Sequence, residues 1–373
     1  MFCPLEGLSV MQTSDDLLLQ RMLQCPHEMG GLSALAWDRL IRLARVADLL
    51  ARLGFLAQQA GVWAQIPASP RAYLASALLL ADRQQRELGY EVQEIELALR
   101  SLNIPVVLLK GAAYVLAGLD AGNGRVVSDV DVLVPRAALP EVEAALMLGG
   151  WASAAGSAYD QRYYRTWMHE LPPMQHIQRG TVLDVHHAIL PVSARIHPSS
   201  ELLLREARPL QPGSCLHVLA PIDMVLHSAT HLMHEGNFEQ GMRGLVDLDA
   251  LLREHGRSPD FWPRMVARAV ALQLTRPLFY ALRYVGKVLG TAVPPAVLQE
   301  LSRAPGAHPG AWRLKWMDAM FERVLCPPHA LVADRWTPLA RGFLYLRGHW
   351  LRMPPGLLAR HLLRKWLSPK QGA

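Results

Sequence analysis

The 373-residue chain predicts an α+β fold, a small mixed β-sheet core flanked by N-terminal helices and a C-terminal helical domain. Three observations carry this expectation. Apolar residues recur every three or four positions through most of the first hundred residues. Short β-branched and apolar runs, punctuated by glycine and proline, then occupy residues 105–190. From Pro221 onward the helical spacing returns, with proline-rich breaks. These changes divide the chain into a helical region (1–84), a core (85–205) and a C-terminal helical domain with a basic tail (206–373).

In chain order, Thr13-Ser14-Asp15-Asp16 supplies cap and dipole chemistry for a helix over 17–23. Residues 35–56 predict a second helix, and 71–102 a long one whose charge-rich later half meets water. The turn Asn103-Ile104-Pro105 ends it. Residues 106–109 read as a buried strand, 111–119 as a short helix, 120–124 as a turn or loop, and 126–134 as a strand closed by Pro135. A helix is expected over 139–148, ending at Gly149-Gly150. Strands at 171–178 and 181–190 follow, joined by a hairpin turn at Arg179-Gly180.

Composition narrows the class. Apolar residues make up 51% and charged residues 19% of the chain, a globular rather than a disordered balance. The net charge of +6 permits a nucleotide, a nucleic acid or a membrane surface as partner without choosing among them. The four cysteines are scattered, with no C-x-x-C pair, which argues against a zinc ribbon or a disulfide framework and fits a reducing compartment. The first residues lack the basic start and apolar run of a signal peptide, and no apolar stretch approaches the ~20 residues a span requires. The expected location is therefore the cytoplasm.

Ser128-Asp-Val-Asp-Val-Leu-Val134 is the most informative stretch. Alternation along a strand puts Asp129 and Asp131 on one face and Val130, Val132 and Val134 on the other. Adjacent carboxylates repel unless a cation lies between them. Hard divalent ions take oxygen ligands of this kind, with substrate phosphates completing the shell. Asp184, in Thr181-Val-Leu-Asp-Val-His-His187, shares its face with Val182 and His186. If the two strands are neighbours, three carboxylates converge, with His186 placed to orient one of them or to contact substrate.

Ile104-Pro-Val-Val-Leu-Leu-Lys-Gly-Ala-Ala113, then Arg125, then Ser128–Val134, resembles the signature of poorly characterised bacterial nucleotidyltransferases of the DNA polymerase β superfamily. The similar stretch covers about residues 85–190, with the Leu-Asp-Val-His-His segment resembling the third-carboxylate strand. The resemblance implies transfer of a nucleoside monophosphate from a nucleoside triphosphate, with release of pyrophosphate. It implies that Asp129 and Asp131 hold two Mg²⁺ or Mn²⁺ ions, and that Asp184 binds the catalytic ion and helps activate the acceptor hydroxyl. Lys110, Gly111, Ala112, Arg125 and Ser128 become the nucleotide-binding candidates. This chain has Gly111-Ala112 where the superfamily has Gly-Gly or Gly-Ser. Residues 113–128, sixteen of them, separate that pair from Asp129, a longer interval than usual.

Other signals have competing readings. Gly118, Gly122 and Gly124 precede a strand, the wrong order for a dinucleotide-binding loop. His227, His231 and His234 share one helix face and could ligate zinc, but no H-E-x-x-H is present; interior packing is favoured, with His231 and Asp247 at the seam with the core. Glu170 is expected to be an exposed acid before its strand, with cleft lining as the alternative. After Asp334 the chain carries Arg335, Arg341, Arg347, Arg352, Arg360, Arg364, Lys365 and Lys370, interleaved with Trp350, Trp366 and several leucines. This tail is a packed helix with a solvated basic face, or a peripheral contact for an anionic membrane or partner. ATP is the favoured nucleotide and a small molecule the favoured acceptor. Transfer of AMP to a protein and a non-catalytic nucleotide-binding scaffold are the alternatives. Polynucleotide is disfavoured, since no basic–aromatic stripe lies near the core.

Overall fold

Four α-helices lead into the sheet: α1 (Leu18–Gln24), α2 (Ala34–Val46), α3 (Leu50–Gln59) and α4 (Ala68–Leu99). The computed structural model describes residues 17–154, 158–234, 236–354 and 356. The expected cap at 13–16 and the tail residues Arg360, Arg364, Lys365, Trp366 and Lys370 lie outside them. The Ser33 side chain caps α2 by accepting from the Ala36 N–H at 3.2 Å. The single helix expected over 35–56 is two. Asp48 adopts a left-handed φ of 55°, and the Leu49 N–H closes back on the Ala44 carbonyl at 2.8 Å. Asp tolerates that conformation, and the turn lets both helices bury leucines in the common core (Leu40, Leu43, Leu53). Asn103, at φ 51°, ends the 3-10 turn after α4.

The middle of the chain alternates: β1 (Val106–Leu108), α5 (Lys110–Leu116), β2 (Asp129–Leu133), α6 (Leu139–Leu148), β3 (Trp151–Ser153), α7 (Ala158–Trp167), β4 (Met174–His176), β5 (Val182–His186), α8 (Ser200–Glu206), β6 (Arg208–Pro209) and β7 (Leu216–Val218). The strands form one mixed sheet in the order β3-β4-β5-β2-β1-β7-β6. β2 runs parallel to β5 and antiparallel to β1, which runs parallel to β7. The hairpin between β4 and β5 turns through Gly180 at φ +74°. The strand expected over 126–134 is shorter, and β3, β6 and β7 were not expected. β6 and β7 join the sheet from beyond residue 205.

The remaining helices are α9 (Pro221–His234), α10 (Gly241–His255), α11 (Phe261–Ala271), α12 (Thr275–Leu289), α13 (Pro295–Arg303), α14 (Ala311–Val324) and α15 (Thr337–Arg352). α9 packs on α10 and α12, and α10 also lies against the 3-10 turn Asp120–Gly122 that precedes β2. One buried apolar cluster runs from the N-terminal helices through β1, β2 and β5 into α12 and α14. Among the described residues, no helix is long and apolar enough to cross a membrane. Cys215 and Cys326 form no disulfide, whereas Cys25 is disulfide-bonded.

Candidate active site

In the parallel β2–β5 pair, Asp131 stands opposite Asp184, and Asp129 opposite Val182. Neighbouring strands lie about 4.8 Å apart, so the two facing carboxylates are close, with Asp129 one pleat along the same face. Val130 and Val132 turn to the other face and are buried. The structure thus brings together the three acids nominated from sequence.

Each acid has a different environment. Asp131 is 3% exposed, and its Oδ1 accepts from Lys110 Nζ at 2.8 Å and contacts His186 Nε2 at 2.9 Å. Burial alone would raise its pKa; the Lys110 charge and the His186 contact outweigh burial and hold Asp131 well below the ordinary carboxylate range. Lys110 reaches it because the Leu109 N–H bonds the Asp131 carbonyl at 3.0 Å and Lys110 itself turns back at φ 48°. Among the described residues, Asp184 has no cationic partner of that kind. Its Oδ1 is buried without a hydrogen bond. Burial first, then repulsion from Asp131 and Glu170, pushes it up to about 6. Asp129 is half-buried and accepts from the Ser128 hydroxyl at 3.1 Å.

Glu170 is not an exposed acid. Its side chain is 16% exposed, and its Oε2 lies 3.3 Å from His186 Nδ1 and 3.8 Å from His169 Nε2. A bridge between Glu170 and His186, outside the regular strands, draws it inward, and burial raises its pKa. His186 therefore sits between two carboxylates. His169 is kept neutral, mainly by burial, and its Nδ1 has no partner. Among the described residues, His169, Glu170 and His186 form the His/acid group close enough to share a cation.

Beside the carboxylates opens a cleft of about 260 Å³ between β2, α5, α9 and α10. Lys110, Gly111, Arg125, Ser128, Asp129 and Asp131 line it from the core, and His231, Arg243 and Asp247 from the helices. Ala112, by contrast, packs into the apolar core and does not line it. The Arg125 side chain is 10% exposed, pairs with Asp247 at 3.2 Å, and leaves Nε and Nη1 buried without acceptors. Gly111 makes room for it: a Cβ there would stand 3.0 Å from Arg125 Nε and from Val127 Cγ2. Arg243 pairs with Asp48 at 3.2 Å and also bonds Gln240. Burial, aided by the Arg125 charge, lowers its pKa.

The Arg125 segment is anchored from several sides. Arg52 bonds the Asp120 carboxylate at 2.6 Å, Gln85 donates to the carbonyls of Gly122 and Arg125, and Glu254 accepts from the Asp120 N–H at 2.9 Å. Gly122 and Gly124 serve this packing: a Cβ on Gly122 would strike the Tyr114 backbone, and one on Gly124 the Ala51 backbone, whereas one on Gly118 would meet nothing. His227, His231 and His234 do not converge. His231 lines the cleft with Asp247, His227 is buried behind it and pushed down to about 3 by burial, and His234 lines a separate cavity. Sequence reasoning missed Arg243 and His169 and took Glu170 for a surface acid; the i, i+4 pair Arg243 and Asp247 on α10 carries no local sign that it faces Arg125.

An acidic sheet face borders a cleft with three cationic side chains, a combination chemically suited to a divalent cation and phosphate oxygens. The chain belongs to a family described as uncharacterised nucleotidyltransferase, whose model matches residues 33–290. The match opens at Ser33, the cap of α2, and closes at Gly290, the left-handed cap of α12, so it takes in flanking helices as well as the sheet. No curated protein matches the sequence. Family membership supports nucleotidyl transfer as the class of activity.

Proposed function

We propose that this chain transfers a nucleoside monophosphate from a nucleoside triphosphate, ATP favoured, to a hydroxyl on a small-molecule acceptor, in a metal-dependent reaction of the DNA polymerase β type. The observation that carries the reading is the meeting of Asp129, Asp131 and Asp184 on one sheet face, where Asp184 keeps a buried oxygen without a partner. That donor set fits a hard divalent cation: all-oxygen, carboxylate-rich and short of positive charge at Asp184. Asp129, Asp131 and Asp184 would hold Mg²⁺ or Mn²⁺. When bound, such an ion supplies neutralisation of phosphate charge and a lowered pKa for the acceptor hydroxyl.

The chain's own residues account for the remaining steps. Lys110, Arg125 and Arg243 put cationic donors on the cleft wall, and the two unmet donors of Arg125 suit phosphate oxygens. Gly111 keeps backbone close to that wall. His186, gripped between Asp131 and Glu170, fixes the Asp131 carboxylate as a positioning residue. Asp184, opposite Asp131 on the neighbouring strand and outside the cleft lining itself, would take the acceptor proton as the hydroxyl attacks the α-phosphate in line and pyrophosphate leaves.

A second reading, a nucleotide-binding scaffold without transfer, draws on the Lys110 ammonium that already caps Asp131 Oδ1. Incubation with each nucleoside triphosphate, labelled at the α-phosphate, with Mg²⁺ or Mn²⁺ and a cell lysate, separates the possibilities. Label on a small product supports the proposal, label on protein redirects it to protein AMP transfer, and binding without transfer supports the scaffold. Asp129→Ala and Asp131→Ala should each abolish transfer; full activity in either would refute the assigned roles.

A further inference from the structure

Three residues beyond His231, α9 reaches a second cavity, of about 370 Å³, distinct from the active-site cleft. Ile196, Val270 and Leu351 form apolar wall, and three guanidinium groups reach it: Arg195 from the segment before α8, Arg276 from α12 and Arg347 from α15. No carboxylate lines it, and none of the three arginines forms an ion pair among the described residues. Elsewhere, enclosed arginines are matched: Arg52 with Asp120, Arg125 with Asp247, Arg268 with Asp223 and Arg283 with Asp318.

These three have neutral partners instead. Arg347 Nη1 donates to the Met233 carbonyl at 2.8 Å, and its guanidinium lies 5.5 Å from the Tyr280 ring centre and 5.4 Å from that of Phe321. Arg276 Nε donates to the Gly306 carbonyl at 2.6 Å, and Arg195 lies over the Trp350 ring at 4.4 Å. Arg195 and Arg276 are exposed at the rim, whereas Arg347 is enclosed. Carbonyls and ring faces orient the Arg347 guanidinium without cancelling its charge, and an enclosed cation lacking a counter-charge is unfavourable. Burial lowers the pKa of Arg347. Burial and the Arg347 charge push His234, on the same wall, down to about 4. The local field is positive and unanswered.

We propose that this cavity binds an organic anion, a carboxylate or phosphate monoester carried on a compact apolar body. Arg347 and Arg276 hold the charged end, and Ile196, Val270 and Leu351 pack the body. The volume suits a small organic ligand. Residues 305, 306, 347 and 351 of the lining lie beyond the stretch matched by the family model. The proposal does not rest on the transfer chemistry above.

Calorimetric titration of the full chain with octanoate, octyl phosphate and uncharged octanol tests it. Both anions should bind, more weakly as salt is raised, and octanol should not bind measurably. Arg276→Gln alters an exposed side chain and should fold normally; together with Arg347→Met it should weaken binding by roughly tenfold or more, whereas Arg243→Met in the active-site cleft should leave binding unchanged. Failure of both anions to bind, octanol binding as tightly as octanoate, or a loss that follows Arg243 rather than Arg276, would overturn the assignment.

Discussion

Asp184→Asn is expected to stabilise the metal-free protein while abolishing transfer. The carboxyl titrates near 6 in the folded chain, against about 3.9 when unstructured. The folded state therefore binds more protons between those values. Stability declines as pH rises from about 4 to about 6, and the penalty is complete above that. The displacement corresponds to on the order of 3 kcal/mol as an upper bound; for a half-buried group, solvent screening reduces the expected gain to about 1–2 kcal/mol. An asparagine amide can donate to Asp131 or Glu170, so the new side chain has partners. Urea unfolding in a chelating buffer measures the difference directly. The variant should be the more stable at pH 8, the gain should shrink toward zero near pH 4, and added Mg²⁺ should stabilise the parent but not the variant. A variant less stable than the parent at pH 8, or one that gains equally at both pH values, would refute the view that these acids are held apart for a cation.

Further outcomes follow from other contacts. Arg243→Met should lower kcat/KM for the nucleotide by about 10–100-fold, mainly through KM; steady-state kinetics with unchanged KM would exclude Arg243 from the phosphate wall. Gly124→Ala should destabilise by about 2–4 kcal/mol, since φ is +67° and the new Cβ would stand 2.7 Å from the Ala51 carbonyl; thermal unfolding reads this. Burial would raise the pKa of Asp318, but hydrogen bonds from Arg283 and Lys287 hold it below its ordinary value. Its charge therefore contributes stability above about pH 4 that is lost as pH falls through the lower folded value. Asp318→Asn should cost about 1 kcal/mol at pH 7 after allowance for screening, with the gap from the parent closing in urea melts toward pH 2.

The acidic face was legible because strand alternation is a local rule: five residues of β2 and five of β5 declare which side chains share a side, and only their adjacency waited on the fold. What lay outside local rules was lost. Glu170 resembles a surface acid because glutamate is seldom enclosed; its burial depends on a bridge to His186 sixteen positions on. Arg125 meets Asp247 across more than a hundred residues, with nothing in either neighbourhood to announce it. The helix expected over 35–56 divides at Asp48 because a left-handed turn needs no glycine when an aspartate occupies it. β3, β6 and β7 hold two or three residues each, too few to display a period.

The segment that carries Arg125 behaves as a strut rather than a loop. Its ties run to α3 through Arg52, to α4 through Gln85 and to α10 through Glu254, so the cationic wall is suspended from helices that precede and follow the sheet strands β1 to β5 in the chain. Trimming the molecule to a minimal sheet would cut that suspension. The long interval before β2 is thus what makes the helical flanks inseparable from the chemistry, and a shortened fragment should retain its acids while losing the wall that faces them.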